Sequence, residues 1–221
     1  MTESTSSIPP DTSDMAAVHE IFRSSLASAP AFVGSAAGDD DRRALIAGYY
    51  ANVMAFLEVH HDGEEALLFP LLIERAPADR KLVDVAIEQH EDVVARLAEA
   101  KEAIAAWSAQ GDSQGPELVH ALGALDDVLS PHLDNEEATV VPLAGEYVTV
   151  EEWGMLPGHG MANFTGDKIW LILGLIRENF TPEQRAQMLE HMPPPAREMW
   201  ETMGESSFND MIAEVRRAGS E

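Results

Sequence analysis

Two segments of this 221-residue chain, HHDGEEALLFP from His60 and HLDNEEATVVP from His132, align without a gap. Each carries a histidine, a glutamate four residues later and a proline six residues beyond that. In a helix of ~3.6 residues per turn, positions i and i+4 lie one above the other, so each segment offers an imidazole and a carboxylate from one face. That is a metal-ligand pair, supplied twice. A chain that uses it must bring two helical faces together.

Turn chemistry divides the rest into long helical runs with few strand candidates, which predicts an all-α fold. A first helix over about 14–28 places Met15, His19, Phe22 and Leu26 on one stripe. The acidic cluster Asp39–Asp41 caps a second, with Ile46, Tyr49, Val53, Phe56, His60, Glu64, Leu67 and Leu71 in line. A third, over about 78–109, groups Val83, Ala86, His90, Val93 or Val94, and Leu97. A fourth, over about 115–146, aligns Leu122, Leu125, Leu129, His132, Glu136, Val140 and Leu143. Short links between four such helices favour an antiparallel, up-down-up-down bundle. In that arrangement His19, His60, Glu64, His90, His132 and Glu136 all fall toward the same end.

Burying an ionised carboxylate or an unpartnered imidazole costs several kcal/mol, so these core-facing groups need a compensating cation. The chain has no cysteine, so any metal is held by nitrogen and oxygen. Four imidazoles and two carboxylates, each able to bridge, suit a dinuclear first-row site, with iron ahead of manganese or zinc. A bridging carboxylate spans the ~3.5–4 Å between the ions of such sites. The net charge of −25 disfavours nucleic acid and anionic membrane surfaces as partners. It would also attract cations without specificity, so spacing has to carry the metal argument. The first residues, MTESTSSIPPDTSD, lack the pattern of a signal peptide and read as a flexible tail over 1–11. The longest apolar stretch, IWLILGLI, is far below the ~20 residues that span a bilayer, and a cytoplasmic protein is expected.

The order His, His-x-x-x-Glu, His, His-x-x-x-Glu on successive helices resembles the hemerythrin-like, or HHE cation-binding, domain. The LFP ending after the first motif strengthens the resemblance, which covers about residues 12–146 and leaves 147–221 as a C-terminal helical extension. Ferritin-like di-iron bundles use Glu-x-x-His, the reverse order at shorter spacing. The resemblance implies a non-heme di-iron centre, with His19, His60, Glu64, His90, His132 and Glu136 as ligands and an oxo or hydroxo bridge. Oxygen-carrying members use two histidines one turn apart on the third helix. Here His90 has Val94 at i+4 and Ala86 at i−4, so one protein ligand is missing. A more open centre favours reaction with hydrogen peroxide, nitric oxide or dioxygen over reversible carriage. The expectation is a di-iron oxidoreductase, peroxide-degrading or related. The alternatives are a module for oxygen or iron binding, storage or sensing without turnover, and a helical interaction protein with a structural metal.

Aligning Pro70 with Pro142 sets His61 opposite Leu133 and Glu65 opposite Glu137, which leaves His61 packed behind the ligands or at the rim. His120, turned ~120° from the ligand face, and His191 read as surface residues. His159, in the glycine-flanked MLPGHGMANF, reads as a turn residue at the site mouth, able to act as a lid or, as the lesser alternative, to reach the metal. Phe22 and Phe56 wall the pocket, Tyr49 lies roughly 16 Å along the helix from His60, and Gly63 calls for close approach of a neighbour. The runs IWLILGLI, TPEQRAQMLEHM and MPPPAREMWETMG predict further helices. They are expected to cover the metal end of the bundle, with homo-oligomerisation through them as an option.

Overall fold

The computed structural model describes residues 9–217, and every regular element among them is helical. The tail expected over 1–11 lies, as far as residue 8, outside the described residues. Helix α1 (Ser13–Ala27) buries Met15, His19, Phe22 and Leu26, as its periodicity requires. The following APAFVG forms a short helix, α2 (Ala29–Gly34), with a proline in its first turn where the missing N–H costs least. Asp39 then caps α3 (Asp40–Gly63), its side chain accepting from the Arg42 amide at 2.9 Å.

Both prolines of the repeated motif disturb their helices, in different ways. After Gly63 the chain widens into a π-helical turn (Glu64–Leu68) before α4 (Phe69–Arg75), so the helix survives Pro70 by loosening the turn before it. In the fourth run, α6 (Gly115–Ala138) breaks at Thr139, with φ −126° and ψ −58°, and α7 (Val140–Tyr147) resumes beyond. The run expected over about 115–146 is therefore two helices. Pro142 cannot donate to the carbonyl of Ala138, and its ring crowds that carbonyl. Between these runs lies α5 (Arg80–Gln110), which buries Val83, Ala86, His90, Val93 and Leu97 and leaves Val94 exposed.

Helix α3 packs on α5, α5 on α6, and α1 on α6 and α3. Cross-contacts run in opposite numerical order along each pair. Glu58 meets Lys101 while Glu65 meets His90, and Gln89 meets Asn135 while Trp107 lies against Gly115. Along α1 and α6, His19 meets Glu137, and Val33 of α2 lies against Gly115.

Beyond Tyr147, the short α8 (Val150–Trp153) starts from a Thr149/Glu152 capping box and leads into α9 (Met155–Asn163). Helix α10 (Ile169–Asn179) is followed by α11 (Pro182–His191), opened by a Thr181/Gln184 capping box. Then come α12 (Pro194–Met199), a second π turn (Trp200–Gly204) and α13 (Glu205–Arg216). The apolar run buries Leu171 to Leu175 against α1, α3 and α13, so its burial is achieved within one chain. Buried Asn52 anchors the approach to α10, donating to Asp167 and accepting from the Lys168 amide, each at 2.8 Å.

The extension covers the histidine-rich end only in part. Trp153 donates to Asp14 at 3.1 Å, and α9 packs on the last turn of α3. The final helix goes to the opposite end, where Arg42 donates to the carbonyls of Glu214 and Val215 at 2.9 and 3.4 Å and to that of Arg217. No described helix is long and apolar enough to cross a membrane.

Helices α10 and α13 meet at Gly174, where a Cβ would lie 2.1 Å from the buried Phe208 ring. Gly174→Ala should therefore destabilise the protein by about 1–3 kcal/mol and lower the melting temperature by roughly 2–12 °C. An unchanged melting temperature would mean that these two helices do not pack through this contact.

Candidate metal centre

Helix α1 supplies His19; α3 supplies His60 and His61, with Glu64 opening the π turn beyond it; α5 supplies His90, and α6 supplies His132 and Glu136. The chain brings all six predicted residues together, along with His61. Their donor atoms form two groups, each within 4.8 Å: His19, His60, Glu64 and Glu136 in one, His61, His90 and His132 in the other. The carboxylates join them. Glu64 places Oε1 3.2 Å from His60 Nε2 and Oε2 3.6 Å from His90 Nε2. Glu136 Oε2 lies 3.5 Å from His19 Nε2 and 3.6 Å from His132 Nε2.

None of these contacts is a hydrogen bond. The Nε2 atoms of His19, His60, His90 and His132, both nitrogens of His61 and all oxygens of Glu64 and Glu136 are buried without a partner. Each orphaned buried polar group costs about 1–3 kcal/mol, and so many in one place are not a tolerable feature of a protein core. Separations of 3.2–3.6 Å between donors match the edges of a shell placed about 2.0–2.2 Å from a first-row ion. The donor set fits metal.

The electrostatics agree. Burial pushes the Glu64 carboxyl well above its ordinary range, with the Glu136 charge adding to the effect. Burial likewise pushes Glu136 up to about 8, helped by Glu137. Burial holds His60 and His61 well below the ordinary imidazole range and His132 down at about 3, while neighbouring histidines add to each depression. His19 and His90 are lowered by burial, opposed by hydrogen bonds to Glu137 and Glu65. Every shift strips charge from the site. Neutral imidazoles are ready to ligate, and only a cation would make two ionised carboxylates affordable here.

Of the two places the sequence allows His61, the structure gives the packed one: it is 3% exposed and stacks on His90 with ring centroids 4.2 Å apart and on the edge of His132 at 5.1 Å. Adjacent residues point ~100° apart around a helix. His60 turns toward α1, with His19 and Phe22 rings at 5.3 and 5.4 Å, whereas His61 turns toward α5 and α6. It thus adds a fifth histidine to the cluster. A signal was present: its counterpart Leu133 is apolar and fully buried, so the aligned position belongs to the core.

The other predictions sort cleanly. Phe22 and Phe56 flank His60 at 5.4 and 6.4 Å. His120 and His191 are exposed. His159 sits in helix α9 rather than a turn and lies outside both donor groups. A Cβ on Gly63 would approach its ring to 3.4 Å, so that glycine does admit a close neighbour. Tyr49 is engaged elsewhere, 2.7 Å from the Ser25 hydroxyl.

The family model described as Hemerythrin HHE cation binding domain matches residues 11–144. No curated protein and no solved structure matches the chain.

Proposed function

Because the chain belongs to the hemerythrin HHE cation-binding family, we propose that its centre holds two iron ions and takes up a small oxidant, hydrogen peroxide, dioxygen or nitric oxide. In this reading His61, His90 and His132 hold one ion, His19 and His60 hold the other, and Glu64 and Glu136 bridge them. The observation that carries it is the division of buried, unpartnered donors into two groups, with each carboxylate touching a histidine of both. The opposed cross-contacts between neighbouring helices support an antiparallel up-down-up-down bundle as the frame.

Two irons would supply one-electron chemistry and Lewis acidity to the bound oxidant. The two-histidine position has fewer protein donors, so the small ligand belongs there. Phe22 and Phe56 form an apolar wall beside His60 that excludes bulk water from that side. Helix α9, seated on Gly63, covers the turn that carries Glu64.

Two outcomes at such a centre are separable. Turnover of peroxide is the reading that a missing ligand favours. His61 supplies a fifth histidine, and that observation favours reversible binding or sensing instead. The deciding measurement is iron content and the optical spectrum of the purified protein before and after peroxide, with evolved oxygen followed in the same cell. About two irons per chain with sustained oxygen evolution would establish turnover. Two irons with a reversible spectral change and no evolution would establish carriage or sensing. A protein that takes up no iron would overturn the proposal.

A further inference from the structure

Each motif glutamate is followed by a second glutamate that points away from the centre. Glu65 lies 2.9 Å from His90 Nδ1, and Glu137 lies 2.8 Å from His19 Nδ1. An ionised carboxylate only accepts, so the Nδ1 of each ring carries the proton and Nε2 faces the centre with its lone pair free. The crossing is systematic. His19 and His90 are the histidines that stand alone on their helices, and each is gripped by the Glu-Glu doublet of a different helix. His61 and His132 have no such partner on Nδ1.

The two grips are unequal. Glu137 is shared with Arg23, whose Nη1 donates to it at 2.8 Å while Nη2 donates to Asp134 at 2.7 Å. Glu65 is 51% exposed, and among the described residues no lysine or arginine pairs with it. The charge behind His90 is therefore uncompensated, and the charge behind His19 is partly cancelled. A carboxylate behind a ligating imidazole fixes its orientation and strengthens it as a donor.

We propose that Glu65 and Glu137 are positioning residues, one for each metal position, and that Arg23 weakens the second so that the His61/His90/His132 position binds metal more tightly. This rests on the two-metal reading above. Its consequence is ordered loading, with the His19/His60 position filled last and emptied first.

The test is anaerobic titration of the metal-free full-length chain with ferrous iron against a competing chelator. Wild type should take two equivalents of unequal affinity. Glu65→Gln keeps an acceptor of the same shape and removes the charge; it should weaken the tighter equivalent by about 10–100-fold. Glu137→Gln should weaken the looser one, and Arg23→Gln should tighten it. That opposite sign is the discriminating result, because a purely structural Arg23–Glu137 pair would make both variants weaker. A packing role for Glu65 would be kept by glutamine, so unchanged affinity in Glu65→Gln overturns its assignment. Loss of affinity in Arg23→Gln overturns the role given to Arg23. Glu65 is half-exposed and unpaired with any cation, so its variant should fold even if Glu137→Gln does not, as helical circular dichroism of the metal-free forms will show. A wild-type chain that takes up fewer than two equivalents overturns the two-metal reading itself, before any variant is compared.

Discussion

Loaded anaerobically with two equivalents of ferrous iron, the protein will melt on the order of 10–30 °C above its metal-free form, and Glu64→Ala will remove most of that gain. A ligand present at a thousand times its dissociation constant stabilises by about 4 kcal/mol per site, and a protein of this size gains roughly 2–4 °C for each kcal/mol. In the proposed two-metal centre Glu64 would serve both sites at once, with one oxygen toward His60 and the other toward His90. Its removal therefore weakens two sites and not one. In the metal-free protein the effect nearly vanishes. There Glu64 is a fully buried carboxyl with neither oxygen partnered, and its loss relieves a cost of the same order as the packing it gives up. Metal-free Glu64→Ala should melt no more than about 3 °C below the metal-free wild type. Thermal melts of the four species decide the matter: a variant that gains as much from iron as the wild type would remove Glu64 from the centre.

The metal-free protein should be most stable near pH 6.5 and should lose stability in both directions. His60 and His61 are held well below 6.5 and His132 at about 3, with His19 and His90 also lowered, each chiefly by burial. Depressed groups contribute stability above their unfolded value, and it is lost as pH falls from about 6.5 toward the folded values. Glu64 is raised well above 4.5 and Glu136 to about 8. Raised carboxyls contribute stability that is full below about 4.5 and is lost as pH rises through the folded value. As pH approaches 6.5 from below, the five depressed imidazoles outweigh Glu64, Glu136 and Asp14, whose carboxyl burial raises to about 6, and stability climbs with pH. Above 6.5 only the carboxyls still differ between the two states, and it falls, by on the order of 1–3 kcal/mol up to pH 8. Iron should abolish that fall, because it favours the ionised carboxylates and competes with protons for the same atoms. Melting temperatures from pH 5 to 8.5, with and without iron, test both halves. A metal-free optimum at or above pH 8 would contradict the account.

Much of the candidate centre was legible in the sequence, and the reason is geometric. A helical stripe has a period of ~3.6, so a histidine on an apolar stripe such as His19 or His90 announces its inward direction without any motif around it. What failed was angular placement. His61 lies one residue from His60, and its direction depends on how α1, α5 and α6 are arranged around α3, which periodicity along one helix does not contain. The roles of Glu65 and Glu137 were out of reach for the same reason: their partners His90 and His19 sit on other helices. The two prolines signalled disturbance, but the choice between a π turn at Glu64–Leu68 and a break at Thr139 is a tertiary outcome. The segment around His159 read as a turn because of its glycines. Packing against Gly63 outweighs their poor helix propensity.

The Arg42 clasp on the last helix has a practical side. Arg42 lies eighteen residues before His60 on the same run, about 27 Å along the helix axis, and it holds the carbonyls of Glu214, Val215 and Arg217. The chain therefore leaves its last helix at the pole remote from the histidines. A surface or partner that grips this clasp would therefore leave the histidine-rich pole facing away from it.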